Sequence, residues 1–176
     1  MRREAGMTDP TDAAPGGAAA RATLAARLTR RLGLLRSGLA AFMRATGPRR
    51  MLALEAAREL ARARGETRRP GARYARGLAL LDGPAAPVEA RDQALAAEIG
   101  AVVAAVAAAA PFRALCLEQA LAVRRMLVRR GVPAVLHIGM AQESGGRDAH
   151  AWVTAGDRVV SGHADLGRFT VIARYC

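Results

Sequence analysis

The sequence predicts an α+β fold in which helices are followed by an antiparallel sheet. Apolar residues recur at helical spacing through long Ala/Leu/Arg stretches as far as Gly131, and beyond it they alternate with a period of two. Alanine is abundant while aromatic residues make up only 3% of the chain, which favours closely packed helices over a large β-sandwich. A length of 176 residues suits one domain with extensions.

The first half is predicted to be helical after a disordered start. Residues 1–20 are rich in Gly, Pro, Ala and Asp. An amphipathic helix is predicted over 22–46, a second is expected to end at Gly65, and a shorter one fits 71–81. We therefore divide the chain into a disordered N-terminus (1–20), a basic helical region (21–92) and a C-terminal domain (93–176).

Two more helices are predicted before the sheet. A long buried helix closed by Pro111 is predicted over 88–110, and a second helix that stops at Gly131 is predicted over 116–130. One stripe of the second helix carries Cys116, Ala120, Val123 and Leu127. The thiol is therefore expected to face inward, towards the surface on which this helix packs.

Four segments with a period of two predict the strands: 133–140, 148–155, 158–163 and 169–175. A two-residue turn at Gly156-Asp157 joins the middle two. The register that follows pairs Thr154 with Val159, Trp152 with Ser161 and His150 with His163. One face of this hairpin is then polar and aromatic, which suits a site, while the other carries small and β-branched residues, which suit a core.

All 27 basic residues are arginine, and the net charge is +12. Residues 1–86 carry 17 arginines against 7 acidic residues (+10), while 87–176 carry 10 against 8 (+2). Such a basic helical half suits binding to nucleic acid, an anionic membrane surface or an acidic peptide, and it equally fits a solvated face. We expect it to serve docking of a partner or of the precursor rather than catalysis. The chain has no base-reading motif, so we expect no nucleic-acid partner.

The chain is expected to be cytoplasmic. Its N-terminus has polar residues where a secretory signal would have an apolar core, and its longest charge-free apolar run is 14 residues, too short to span a bilayer. Two cysteines sixty residues apart do not make a disulfide framework, and Cys176 is expected to be a free thiol.

Cys116 stands at the first turn of a predicted helix, where backbone N–H groups and the helix dipole favour a thiolate. A cysteine facing a histidine on an adjacent strand, such as His150, forms a nucleophile and base for acyl transfer. The N–H groups at the helix start would supply an oxyanion hole. Taken alone, Cys116 also fits a small buried apolar residue with no chemical role.

The stretch CLEQALAVRRMLVRRGVPAVLHIGM, then AHAWVTAGDRVV and RFTVIARY, resembles the transglutaminase-like cysteine peptidases that remove leader peptides in lasso-peptide biosynthesis. The resemblance covers 93–176 well and 23–92 loosely. It implies a transglutaminase/papain-like core, a central helix on an antiparallel sheet, with Cys116 as nucleophile and His150 as base. It also implies a precursor peptide as substrate, no cofactor, and an ATP-dependent lasso cyclase as partner. Residues 1–92 show no strands, so a separate PqqD-like leader-recognition protein is expected.

The third catalytic residue is where the sequence departs from this family. The family has an aspartate on the strand after the histidine, and Gly162 stands in that place. In the predicted register Asp165 is a diagonal neighbour of His150, which makes it the favoured third residue of a Cys–His–Asp arrangement. His163, directly opposite, is the alternative, and a site without a third residue is another. Asp157 lies at the hairpin tip, too far along the strand.

Other candidates are weaker. His137 is expected to be structural or solvent-facing, and Trp152 to pack beside the thiol. A zinc site needs more than the right residue types, and the cysteines and histidines here lack a recognised ligand spacing, so no metal is expected. The second function class is a catalytically inactive transglutaminase-like binding or scaffold protein of a peptide-maturation complex, which the missing aspartate favours.

Overall fold

Three helices and a four-stranded antiparallel sheet form the part of the chain that the computed structural model describes: Thr29, Gly33, 46–69, 78–143 and 146–176. The elements are α1 (Gly47–Thr67), α2 (Ala90–Ala109), α3 (Cys116–Val128), β1 (Val135–Glu143), β2 (Gly146–Ala155), β3 (Arg158–Ser161), a 3₁₀ turn (Leu166–Arg168) and β4 (Thr170–Tyr175). The sheet order is β3-β2-β1-β4. This arrangement confirms the predicted α+β class.

Two of the predictions for the first half lie outside the described residues. They are the disordered start over 1–20 and the helix over 22–46, of which the structure describes only Thr29 and Gly33, both helical. The division of the chain at residue 92 stays a prediction.

Helix α3 is the central element, because it packs on α1 and α2 on one side and on β2 on the other. The predicted inward stripe is confirmed: Ala120, Val123 and Leu127 are fully buried, and Cys116 is half-buried against the same core. The largest core side chains come from every layer: Leu60, Ile99, Leu121, Met126, Leu136 and Val153. Helix α1 therefore shares one core with the sheet.

Two predicted helix limits are wrong. Helix α1 runs past Gly65 to Thr67, since Glu66 pairs with Arg62 and Arg125 and so holds the last turn. Residues 78–81 are extended rather than helical, because their backbone groups bond along the edge of β4, as in the pair between Ala79 and Cys176. The rest of the predicted helix over 71–81 lies outside the described residues.

Helix α2 confirms the long helix predicted over 88–110 and lies within those bounds. It has 20 residues and is the one helix in the described part of the chain with the length and composition to cross a membrane, at a mean hydropathy of 1.5. Its buried face packs into the core through Ala96, Ile99, Gly100 and Val103. Of the apolar window in this helix 22% is buried, and the cytoplasmic location stays a prediction.

The β2–β3 hairpin has the predicted turn but a different register beyond its first pairs. Its pairs are Ala155 with Arg158, Thr154 with Val159 and Val153 with Ser161. Val160 is therefore an extra residue, a β-bulge that shifts everything after it by one position. The predicted pairs Trp152–Ser161 and His150–His163 are wrong for this reason.

The bulge follows from close packing between β3 and α2. The side chain of Val160 is buried in the core, and its carbonyl lies against Gly100, where an added Cβ would stand 1.8 Å from the Val160 oxygen. Only glycine in α2 permits this approach. Ser161 consequently shares the helix-covered face of the sheet with Val153, while the side chain of Trp152 packs in a second cluster on the opposite face.

Candidate active site

A cleft of about 490 Å³ opens beside the start of α3, and the predicted nucleophile and base both line it. Cys116 contributes from the helix start and His150 from β2. One wall is smooth and apolar because α2 presents only small residues there: Ala97, Gly100, Ala101 and Ala104. Among the described contacts no hydrogen bond joins the Cys116 thiol to the imidazole. In ligand-free enzymes such bonds often close only when substrate binds.

The start of α3 leaves several backbone donors beside Cys116 outside the helix ladder. The first intrahelical bond runs from the Gln119 N–H to the Leu115 carbonyl, so the N–H groups of Cys116, Leu117 and Glu118 have no partner within the helix. These donors lie at the positive end of the helix dipole. They are suited to stabilise an oxyanion formed next to the thiol.

A buried carboxylate, Glu118, fixes the turn that carries the cysteine. Its side chain is 2% exposed. Oε2 accepts a hydrogen bond from the Leu115 N–H at 2.9 Å, and Oε1 accepts one from the Thr67 hydroxyl at 3.3 Å, with Arg64 Nη1 3.8 Å away. Sequence reasoning missed this residue, although an acidic residue at the third helical position is the known signal of a capped helix start.

Helix α1 also holds the segment that precedes the cysteine. Arg64 Nη1 donates to the Arg113 carbonyl at 2.9 Å, and its guanidinium lies 4.5 Å from the centre of the Phe112 ring. On the other side of the turn, Gln119 Nε2 donates to the Ala114 carbonyl at 3.0 Å. The sequence carries no signal for the Arg64 contacts because they span 49 residues.

His150 is held by one hydrogen bond and two aromatic rings. Its Nε2 lies 2.9 Å from the Gly162 carbonyl oxygen. The imidazole stacks on Phe169 at 5.2 Å and on Trp152 at 6.1 Å between ring centres. Because a carbonyl oxygen only accepts, the hydrogen bond assigns the proton of the neutral ring to Nε2 and leaves the lone pair on Nδ1.

The Gly162 position is closed to any side chain. Its backbone has a φ of +76°, which L-residues other than glycine rarely adopt. An added Cβ would lie 2.6 Å from the Ala151 carbonyl oxygen and 2.8 Å from the Trp152 Cβ. Sequence reasoning identified Gly162 as the place of the missing aspartate but could not foresee its carbonyl as a partner, since a backbone group leaves no residue signature.

The structure brings none of the predicted third residues into hydrogen-bond contact with His150 among the described contacts. Asp165 is exposed at the start of the 3₁₀ turn and does not line the cleft. His163 lines the cleft, but its Nε2 is bonded to the Val159 carbonyl at 3.1 Å. Asp157 lies at the hairpin tip, where it accepts from Gln93 at 3.4 Å.

The remaining candidates have packing roles. His137 stacks on Trp152 with 5.2 Å between ring centres and shares a hydrogen bond of 2.9 Å with the Thr154 hydroxyl. Burial lowers the pKa of His137, and the nearby charge of Arg174 lowers it further. Trp152 is buried in the second cluster, beneath His150. Both cysteines are free thiols, and the described residues hold no cluster of three or more metal-ligating side chains.

Comparison with known proteins assigns the chain to a family. A family model described as the transglutaminase-like superfamily matches residues 18–174. No curated protein and no solved structure matches the chain. The matched segment contains the cysteine at the helix start, the histidine strand and the whole sheet, the parts that form the cleft. The chain belongs to the transglutaminase-like superfamily, which includes cysteine peptidases and transferases.

Proposed function

We propose that this protein is a cysteine endopeptidase that removes the leader peptide from a ribosomally made lasso-peptide precursor. The observation that carries the proposal is the shared cleft, which is lined both by Cys116 at a helix start and by His150 on the neighbouring strand. The superfamily match supports cysteine chemistry, and the sequence resemblance described above supports the choice of substrate.

The reaction follows from the atoms around the cleft. His150 Nδ1 takes the proton of the Cys116 thiol, and the sulfur attacks the scissile carbonyl carbon to form a tetrahedral intermediate. The N–H groups at the start of α3 stabilise its oxyanion. As the C–N bond breaks, Nδ1 returns the proton to the leaving amine, and a thioester remains. Water then attacks the thioester with His150 as base, which releases the leader acid and restores the thiol.

The partners belong to the same proposal. The described residues before α2 contain one helix and an extended segment, so a separate PqqD-like protein would deliver the leader and an ATP-dependent cyclase would close the ring. The apolar wall of α2 gives an extended peptide a surface without bulky side chains in its path.

The test is leader removal by the full chain supplied with precursor and recognition protein, followed by mass spectrometry. We expect Cys116→Ala to lower the cleavage rate by at least about 1,000-fold. Its free energy of unfolding should stay within about 1 kcal/mol of wild type, because one half-buried sulfur is removed. The matched control is Cys176→Ala, which removes the other thiol and should cleave normally. Cleavage by Cys116→Ala at the wild-type rate would exclude the peptidase.

A scaffold without chemistry is the second candidate, and glycine at the place of the family aspartate is the observation that favours it. Alkylation by iodoacetamide at neutral pH separates the two. For a peptidase, Cys116 should react faster than Cys176 although Cys176 is the more exposed thiol, because Cys116 stands at a helix start and shares the cleft with His150. Faster alkylation of the more exposed Cys176 than of Cys116 would support the scaffold.

A further inference from the structure

We propose that the backbone carbonyl of Gly162 is the positioning group for His150, so that a main-chain oxygen does here what an aspartate does elsewhere in the family. This inference rests on the proposed peptidase function for its catalytic meaning. The hydrogen bond of 2.9 Å from His150 Nε2–H to the Gly162 oxygen is the observation that carries it.

The carbonyl is available because the strand ladder stops one residue earlier. Strand β3 ends at Ser161, whose partner on β2 is Val153. The Gly162 carbonyl therefore lies beyond the last strand pair, where it accepts from the imidazole. The bulge at Val160 sets this geometry, since it moves the chain by one position before Gly162 is reached.

The ring has little freedom to choose another partner. Phe169 and Trp152 lie at stacking distance from the imidazole. A ring packed against two aromatic side chains and hydrogen-bonded through Nε2–H keeps its other nitrogen, Nδ1, as the one with the lone pair. A general base needs that nitrogen unprotonated and directed to the thiol.

Glycine at position 162 is required by the same geometry. A Cβ would displace the chain from Ala151 and Trp152, and the positive φ would be strained as well. The substitution thus moves the carbonyl away from His150 without removing any side chain. An aspartate placed at 162 would meet the same steric obstacle. The glycine that lacks the family's carboxylate is therefore also the residue that lets a carbonyl reach His150.

A carbonyl fixes the tautomer but offers the imidazolium formed during the reaction less charge stabilisation than a carboxylate does. Loss of the hydrogen bond to the carbonyl should still lower the cleavage rate strongly, because a histidine in the wrong tautomer cannot accept the thiol proton. We expect Gly162→Ala to lower the single-turnover cleavage rate by about 10- to 1,000-fold, with precursor binding unchanged.

The decisive measurement is the tautomer of His150. Long-range ¹H–¹⁵N spectra of the full chain labelled at its three histidines, recorded at about pH 8 where an ordinary histidine is neutral, report which ring nitrogen carries the proton. His150→Gln assigns the signal. Wild type should show the proton on Nε2, and Gly162→Ala should show a mixture of tautomers. Gly167→Ala is the control, since an added Cβ there meets only Asp165 Oδ1, at 3.6 Å, and it should change neither spectrum nor cleavage.

The outcomes separate the two proposals. A wild-type proton on Nδ1, or an unchanged tautomer in a folded Gly162→Ala, overturns the role of the carbonyl whatever the cleavage rate is. If the tautomer behaves as expected while wild type cleaves no precursor, the positioning role stands and the peptidase proposal fails. If Gly162→Ala does not fold, Asp165→Asn decides together with the wild-type spectrum: loss of the Nε2 proton in Asp165→Asn overturns the inference, and its retention supports it.

Discussion

The start of α3 is open to a cleft, whereas its end is closed by ion pairs to α1. At the start, Cys116 lines the cleft, and the carboxylate of Glu118 accepts a hydrogen bond from the Leu115 N–H and so holds the turn. At the end, Arg125, Arg129 and Arg130 are covered by glutamates of α1. The same helix therefore carries the proposed chemistry at one end and its attachment to the fold at the other.

The closed end is a network rather than a set of separate pairs. Glu55 accepts hydrogen bonds from Arg129 and Arg130, each with a shortest distance of 2.6 Å, and the bond from Arg130 lowers the pKa of Glu55 from 4.5 to about 2 despite the opposing effect of burial. Glu59, buried to 3% exposure, pairs with Arg129 at 3.2 Å. Burial raises the pKa of Glu66, but its bonded arginines outweigh this and leave it lowered.

This difference shows what the charge imbalance of the sequence means. The first half has the excess of arginine, yet three of its acidic residues are used to neutralise arginines of the second half. A count by halves therefore overstates the separation of charge between the two halves of the chain. The ends of α3 can be tested independently, because variants at the closed end should change stability alone and variants at the open end should change cleavage as well.

The largest expected effect in this comparison is that of Glu118→Ala. It leaves the Leu115 N–H without its acceptor and removes the buried charge beside Arg64, while the Thr67 hydroxyl keeps the Arg64 carbonyl as an acceptor; the free energy of unfolding should fall by about 2–3 kcal/mol. Because the turn before Cys116 loses its anchor, cleavage should fall by at least about 10-fold. Urea unfolding and single-turnover cleavage measure the two effects.

Glu118→Gln is the matched variant for the charge. One amide oxygen can keep the bond to Leu115, so stability should fall by only about 1 kcal/mol and cleavage should be largely retained. If Glu118→Ala unfolds more easily but cleaves as fast as wild type once folded, the carboxylate holds the fold without positioning the thiol, and the contrast between the two ends disappears.

The parts of the fold that depend on local sequence patterns could be predicted. The inward stripe of α3 and the turn at Gly156-Asp157 follow from local patterns, and both are confirmed. The register beyond the turn could not be predicted, because it depends on how closely β3 approaches Gly100 of α2. The extension of α1 to Thr67 likewise depends on ion pairs with a distant helix.

The candidate site likewise has features that the sequence indicates and others that only the structure reveals. Cys116 and His150 could be proposed from the sequence because their side chains are rare in this chain and stand in a specific pattern, and both line the cleft. The Gly162 carbonyl could not be found, since every residue has a carbonyl and only the backbone path decides which one reaches an imidazole. The sequence argument for Asp165 depends on a hairpin register that the bulge at Val160 changes.

At the closed end, Glu55→Gln should lower the free energy of unfolding by about 1 kcal/mol at neutral pH, because the bidentate bond to Arg130 is lost. The lowered pKa means that folded Glu55 stays charged where the unfolded chain takes up a proton. Its stabilising effect is therefore complete above pH 4.5 and is lost as the pH falls towards about 2. Urea unfolding of both proteins along a pH series measures the difference.

Cleavage and the His150 tautomer should be the same in Glu55→Gln as in wild type. Glu98→Gln is the control, since its pair with Arg49 is long at 3.6 Å and both side chains are more than a third exposed, 43% and 66%. It should change stability by less than about 0.5 kcal/mol at any pH. A loss of cleavage in Glu55→Gln would mean that the two ends of α3 are coupled.

The smallest expected effects are those of substitutions at Asp165 and Asp157. These variants test whether the site at the start of α3 works without a carboxylate beside His150. Asp165 is exposed and does not line the cleft, and Asp157 lies at the hairpin tip with Gln93 as its hydrogen-bond partner. If the neutral carbonyl of Gly162 orients His150, both Asp165→Asn and Asp157→Ala should cleave within about 3-fold of wild type. Single-turnover cleavage of one precursor by both variants, beside Gly162→Ala, measures this. A loss of 100-fold or more in Asp165→Asn alone would show that its carboxylate reaches His150 when substrate binds. The start of α3 would then depend on a charged carboxylate, as the end of α3 does.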